Sequence, residues 1–121
     1  MKRALRWLPA LAWMAGIFWL SSGTLPSTGG IEIPDKVAHF GAWLILGALA
    51  WWAAAPFGRT QATLLAVVVS AAYGAADEFH QWFVPGRSSD VRDWLADAAG
   101  AACAVVLLAL IAGRRHRESP N

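Results

Sequence analysis

Four long apolar blocks constrain the fold of this chain more than any other feature of its sequence. They cover residues 5–20, 37–57, 62–76 and 94–112, and their only Asp, Glu, Lys or Arg side chains are Arg6 and Asp97. A helix needs about 20 predominantly apolar residues to cross a bilayer. The hydrophobic fraction of 57% is also high for a small soluble domain. The sequence therefore predicts an all-α integral membrane four-helix bundle, formed by one domain over residues 1–121.

Turn-forming residues between the blocks predict where the helices begin and end. Pro85 and Gly86 stop the third helix, and Ser88, Ser89 or Asp90 can cap the fourth. Gly, Ser, Thr and Pro between residues 21 and 33 predict a loop after the first helix. The predicted helices cover residues 4–22, 37–55, 60–84 and 90–112, with Pro9 tolerated near the start of the first and Asp35 as N-cap of the second.

The basic residues indicate an orientation rather than a nucleic-acid partner. Seven of the ten lie on one side of a four-span topology, and they are Lys2, Arg3, Arg6, Arg59, Arg114, Arg115 and Arg117. The other three are Lys36, Arg87 and Arg92. The positive-inside rule then places both termini in the cytoplasm. We expect the first block to remain as a helix, because its cleavage as a signal peptide would leave an odd number of spans.

A polar run between the last two blocks is the densest cluster of charge in the chain. Residues 77–93 carry six of the 18 charged side chains. Counted along the helices, Glu78 lies about 27 Å from Thr60, and Asp97 lies about 10.5 Å inward of Asp90. His39 lies about 6 Å inward of Asp35 by the same count. Three helices therefore bring carboxylates, imidazoles and an amide to one shallow layer near the outer boundary.

Helical spacing assigns the polar residues to common faces. Residues three or four positions apart lie on one side of a helix, which groups Asp35 with His39, Glu78 with Gln81, Asp77 with His80, and Asp90 with Asp93 and Asp97. Such stripes in a membrane turn toward the bundle interior or a water-filled cleft. The predicted ligand-binding residues are Asp35, Lys36, His39, Glu78, Gln81, Arg87, Asp93 and Asp97.

Three kinds of chemistry are open to this layer. Helix N-termini with Lys36, Arg87 and Arg92 favour a phosphate or carboxylate ligand. Alternatively, Lys36 and Arg87 pair with the acidic residues and only fasten the loops. For acid–base catalysis, His39 and Glu78 form a base and the group that orients it.

A metal site, in contrast, is not predicted, and neither is any cofactor. Zinc accepts the residue types of His39, His80, Glu78 and Asp93. However, the chain has no His-x-x-x-His pair, and its one cysteine, Cys103, falls inside the last apolar block. Three tryptophans near the outer edge are interpreted as interfacial belt residues, and they are Trp43, Trp82 and Trp94.

The spacing of the charged residues resembles that of the VanZ-like family of small bacterial membrane proteins. The matching segments are 35–40 (DKVAHF), 78–81 (EFHQ), 85–88 (PGRS) leading to Asp93, and then Gly100. Asp97 departs from the pattern, since the family often has asparagine there. The family is named for a member associated with resistance to the glycopeptide teicoplanin.

The resemblance implies a multi-pass protein of the bacterial cytoplasmic (inner) membrane with a role in the cell envelope, linked to glycopeptide resistance. The leading hypothesis is a site at the outer face that engages an anionic lipid or a peptidoglycan precursor. A membrane-embedded hydrolase or transferase using His39 and Glu78 is the alternative. A structural or partner-binding bundle is the third hypothesis. The lipid bilayer is the expected partner in all three, and no nucleic acid is expected.

Overall fold

The chain folds into an all-α bundle whose helices coincide with the four apolar blocks. The structure, a computed structural model, describes residues 2–22, 35–86 and 89–119. The elements in these residues are α1 (Lys2–Leu5), α2 (Leu8–Ser21), α3 (Asp35–Ala54), a 3₁₀ turn (Ala55–Phe57), α4 (Arg59–Trp82) and α5 (Val91–Glu118). α1 and α2 together form the first span, and four helical segments of the described chain are long and apolar enough to cross a membrane. The predicted four-helix membrane bundle is confirmed.

The first span differs from the prediction because it is broken near its start. Arg6 and Trp7 form a turn between α1 and α2, where the sequence predicts one continuous helix. Pro9 stands in the first turn of α2, a position that tolerates proline because the first N–H groups of a helix have no intrahelical partner. In a continuous helix its ring would clash with the carbonyl group of Leu5. Starting a new helix removes that clash.

Helix α5 also differs from the prediction, since it continues past residue 112 to Glu118. Gly113 costs a helix only about 1 kcal/mol relative to alanine, and the basic side chains of the last turn interact favourably with the helix dipole. At its other end α5 begins as predicted. Asp90 is the N-cap, and its side chain accepts a hydrogen bond from the Arg92 backbone N–H at 2.9 Å.

Two glycines allow α3 and α5 to pack with their backbones in contact. A Cβ atom on Gly100 would overlap the carbonyl group of Phe40, and one on Gly47 would lie 2.9 Å from the backbone of Ala101. Small residues serve this purpose in membrane bundles, where van der Waals packing drives helix association. This contact sets α3 against α5 one turn below the polar layer.

Indole N–H groups link the helices, and one of them corrects a prediction. Trp43 donates to the carbonyl oxygen of Ser70 at 2.9 Å, and Trp94 donates to that of Ala71 at 3.2 Å. Because Trp43 is only 1% exposed, its interpretation as an interfacial belt residue is wrong. Trp82 is 75% exposed and remains on the outer surface of the bundle.

The two ends of the bundle carry different charges. The end where α1 and α4 begin and α3 and α5 finish is called the basic end, and it holds Lys2, Arg3, Arg6, Arg59, Arg114, Arg115 and Arg117. Here Arg6 lies 3.9 Å from the centre of the Trp52 ring and donates to its carbonyl oxygen. The opposite end, where α3 and α5 begin and α4 finishes, is called the polar end.

Candidate functional site

The polar end brings buried polar side chains from α3, α4 and α5 together. Among the described residues, eight polar or ionisable side chains are no more than 9% exposed. Apart from Ser21 and Ser70, they form one cluster, and its members are His39, Asp77, Glu78, Gln81, Asp93 and Asp97. Buried charge requires partners, so the contacts within this cluster decide what it can do.

His39 and Asp97 form the innermost contact of the cluster. His39 Nδ1 lies 2.7 Å from Asp97 Oδ1, between α3 and α5. An Nδ1–H group that donates to a carboxylate fixes the orientation of the imidazole and leaves the lone pair on Nε2. The imidazole also stacks on the Trp43 ring, with 5.9 Å between ring centres. Asp97 is therefore placed to orient His39, a role that the sequence analysis gave to Glu78.

Glu78 joins the end of α4 to the start of α5. Its Oε2 atom accepts hydrogen bonds from the Ser89 hydroxyl at 3.2 Å and from the Asp90 backbone N–H at 3.1 Å. The sequence predicts that the N-terminus of α5 helps to bind an anionic ligand. In the structure the protein's own carboxylate meets that N-terminus, so an external anion would have to compete with Glu78.

Asp77 is a cluster residue that the sequence analysis did not select. It is 4% exposed and accepts a hydrogen bond from the side-chain amide of Gln81 at 3.3 Å. Helical spacing predicts that Asp77 shares a face with His80, whereas in the structure Asp77 is buried together with Glu78. The spacing of four residues between Asp77 and Gln81 also places these two on one face, and it could have indicated that Asp77 belongs to the cluster.

His80 belongs to a different contact. Its Nε2 atom lies 3.0 Å from the Ser22 hydroxyl, and its ring stacks on Phe18 with 4.4 Å between ring centres. Phe18 lies in α2 and Ser22 is the C-cap of α2, so His80 packs α4 against α2. This histidine fastens helices at the polar end without facing the buried carboxylates.

Lys36 and Asp93 form an ion pair at the edge of the cluster. The Lys36 ammonium lies 3.5 Å from Asp93 Oδ1, with the lysine side chain 54% exposed and the aspartate side chain 6% exposed. This is one of the pairings expected if charges fasten the bundle. An ammonium group has three donors, so contact with one carboxylate leaves Lys36 able to bind a second anionic group. Of the other predicted ligand residues, Arg87 and the Asp35 side chain lie outside the described residues.

Three carboxylates of the cluster have an oxygen atom that is buried without a hydrogen-bond partner in the described structure. They are Glu78 Oε1, Asp93 Oδ1 and Asp97 Oδ2. Asp93 Oδ1 is the atom that forms the ion pair with Lys36. Leaving a buried polar atom unpaired costs roughly 1–3 kcal/mol, and more for a charged group. The cluster therefore has unused capacity to bind a cation, a proton or a hydrogen-bond donor.

Four of these residues also have the geometry of a possible cation site. His39, Asp77, Glu78 and Asp97 each offer a ligand atom, and these atoms all lie within 4.8 Å of one another. This set differs from the zinc-type residues considered from the sequence, since it includes Asp77 and Asp97 and omits His80 and Asp93.

Comparison with known proteins identifies the family that the spacing of the charged residues resembles. The sequence model described as VanZ/LLP1 matches residues 12–112. A similar protein, 33% identical over 86 residues, is an uncharacterized protein of the yeast Schizosaccharomyces pombe. The aligned region is 70% of this chain and 52% of the yeast protein, so the chain spans about half the length of that relative. No solved structure matches the chain. The family match covers most of the chain and all of the polar cluster, and it shows that the chain belongs to the VanZ/LLP1 family.

Proposed function

We propose that this protein binds the phosphate-bearing headgroup of an envelope lipid, either a phospholipid or a lipid-linked peptidoglycan precursor, at its polar end. The observation that carries the proposal is the position of Lys36. Its side chain is 54% exposed and lies at the edge of a buried polar cluster whose carboxylates are not fully hydrogen-bonded. If this end lies at the membrane boundary, as the helical rise predicts, a lipid headgroup reaches it from within the bilayer.

The orientation that goes with this proposal puts the polar end on the outer side of a bacterial inner membrane. Seven of the ten Lys and Arg residues are at the basic end, which the positive-inside rule assigns to the cytoplasm. The link to glycopeptide resistance that the family resemblance implies would follow if the ligand is a peptidoglycan precursor.

Mass spectrometry of the lipids that co-purify with the protein tests this proposal. We expect a phosphate-bearing lipid bound to the wild type and lost from Lys36→Gln and from Arg87→Ala. Arg115→Gln is the matched control, because Arg115 is an exposed cation at the basic end. Equal lipid content in all four proteins would contradict the proposal.

A hydrolase or transferase acting on the same headgroup is a second candidate function. It is favoured by the contact between His39 and Asp97, because an imidazole oriented by a carboxylate is a common arrangement for a general base. Purified protein would then turn over a phosphate-bearing lipid, and His39→Ala would abolish that turnover. Turnover that survives His39→Ala would rule out this assignment.

A bundle that uses these residues only for packing is the remaining interpretation. Glu78 and Lys36 do connect helices, and this interpretation expects their replacement to lower the amount of protein in the membrane. If Glu78→Gln and Lys36→Gln lower protein level and change nothing else, the packing role accounts for both residues.

A further inference from the structure

The four residues with converging ligand atoms come from three helices and are all buried. His39 is on α3, Asp77 and Glu78 are on α4, and Asp97 is on α5. Ligand atoms bound about 2.1 Å from one ion lie at most about 4.2 Å apart. The observed separations, all within 4.8 Å, need only small rotations of the side chains to meet that limit.

The unpaired oxygens provide a second, independent sign of a ligand. Asp97 is fully buried and Glu78 is 8% exposed. Each uses one carboxylate oxygen for a hydrogen bond within the protein and keeps the other buried without such a partner. A bound cation satisfies both oxygens at once.

We infer that His39, Asp77, Glu78 and Asp97 form a binding site for a divalent transition-metal ion such as Mn²⁺. Carboxylate oxygens suit Mg²⁺, Ca²⁺ and Mn²⁺, whereas imidazole suits transition metals. A set of one imidazole and three carboxylates lies where the two preferences overlap. The ion would offset the charge of carboxylates that are otherwise held at high cost away from water.

The remaining contacts of the site agree with a metal centre. His39 Nδ1 and Asp97 Oδ1 lie 2.7 Å apart, a separation that two ligand atoms on one ion can also have. A bound ion would replace the hydrogen bond between them. Gln81 holds Asp77 from one turn away, and hydrogen bonds to ligand carboxylates orient them toward the metal.

The inference does not depend on the proposed lipid function, because the ion is tested alone. Protein purified in detergent, stripped of metal with EDTA and then titrated with Mn²⁺, is followed by the electron paramagnetic resonance signal of the free ion. We expect one saturable Mn²⁺ per chain, and Zn²⁺ should displace it. The absence of saturable binding of both ions would overturn the inference.

Matched variants connect the binding to these residues. We expect His39→Ala and Asp77→Asn to weaken Mn²⁺ binding by at least about 100-fold. Loss of a group that only hydrogen-bonds to a metal ligand weakens binding by up to about 100-fold, and loss of a ligand itself should cost at least as much. His80→Ala and Glu118→Gln are the controls, since His80 contacts the first span and Glu118 is exposed at the far end of α5. Equal weakening in the controls would contradict the assignment.

A measurement on the wild type alone covers the case in which a variant fails to fold. A ligand that binds only the folded state raises the melting temperature, so Mn²⁺ should raise the Tm of EDTA-treated wild type. If the carboxylates share protons instead of an ion, the Tm of the wild type will not change with Mn²⁺, and the inference fails.

Discussion

The two ends of the bundle carry their charges in opposite ways. At the basic end the side chains of Arg3, Arg114, Arg115 and Arg117 are exposed. At the polar end Asp77, Glu78, Asp93 and Asp97 are less than a tenth exposed. Exposed cations cost the fold little and set its orientation. Buried carboxylates cost stability unless each is paired, so the electrostatic cost of folding is concentrated at the polar end.

The contacts at the two ends show the same difference. At the basic end a cation meets apolar or flexible surroundings, as in Arg3 over Phe57 at 5.4 Å and Arg6 over Trp52 at 3.9 Å. At the polar end an acid meets a specific donor, as in Asp97 with His39. The contacts at the basic end join exposed or half-buried cations to aromatic rings, whereas those at the polar end join buried polar atoms to one another. Paired substitutions at the two ends test this difference.

The largest effect is expected for accessibility across the membrane. In a Cys103→Ser background, Arg92→Cys should react almost completely with a membrane-impermeant thiol reagent added to intact cells, and Arg115→Cys should not react. Both side chains are exposed, and the positive-inside rule places them on opposite sides. The readout is gel mobility after labelling. Labelling of Arg115→Cys alone would show the opposite orientation, in which the polar end faces the cytoplasm and not the cell envelope.

Helix packing should show the next largest effect, with the same substitution made toward each end. We expect Gly100→Ala to destabilise the protein by about 3 kcal/mol or more, because a Cβ atom there meets the backbone carbonyl of Phe40 and overpacking is costly. Gly113→Ala should cost less, since its Cβ atom meets only the end of the Arg59 side chain, which can move. Thermal unfolding in detergent measures both variants. Equal losses would show that the backbone contact of α3 and α5 does not limit stability.

A smaller effect is expected for the cation at the basic end. Arg6→Gln should lower stability by about 1 kcal/mol through loss of the cation–π contact with Trp52. Arg115→Gln, which replaces an exposed arginine, should stay within about 0.5 kcal/mol of the wild type. Thermal unfolding again provides the comparison. A loss of several kcal/mol for Arg115→Gln would contradict the view that exposed charges at this end only orient the protein.

Much of the fold could be predicted because the lipid environment simplifies the sequence. Apolar blocks separated by turn residues define four spans, and helical rise places His39, Glu78 and Asp97 at similar depth. Three residues before the last block, Ser88, Ser89 and Asp90, have side chains that can cap its helix, and Asp90 is the one that does so in the structure. The number of helices and the depth of a residue along its helix both depend only on position in the chain, so they can be counted from a single sequence.

Rotation of each helix about its own axis was harder to predict. In a membrane the lipid-facing residues are as apolar as the interior, so periodicity does not show which face is buried. Trp43 was therefore assigned to the membrane interface, and Asp77 was grouped with His80. The partner of His39 depends on how α3 sits against α5, which is set by the distant residues Gly47 and Gly100.

The most direct test of the account is the stability of the Asp97→Asn variant without metal or lipid. Asparagine keeps the shape of the side chain and an oxygen that can accept from His39, but it removes a buried charge. If the polar end is a binding site, the thermal unfolding midpoint of the metal-free protein should stay the same or rise, because a buried carboxylate with one unpaired oxygen is lost. If Asp97 only fastens the bundle, the midpoint should fall by about 4–8 °C for each kcal/mol of lost stability, because an amide oxygen accepts a weaker hydrogen bond from His39 than a carboxylate does. A clear fall in the midpoint would contradict the account.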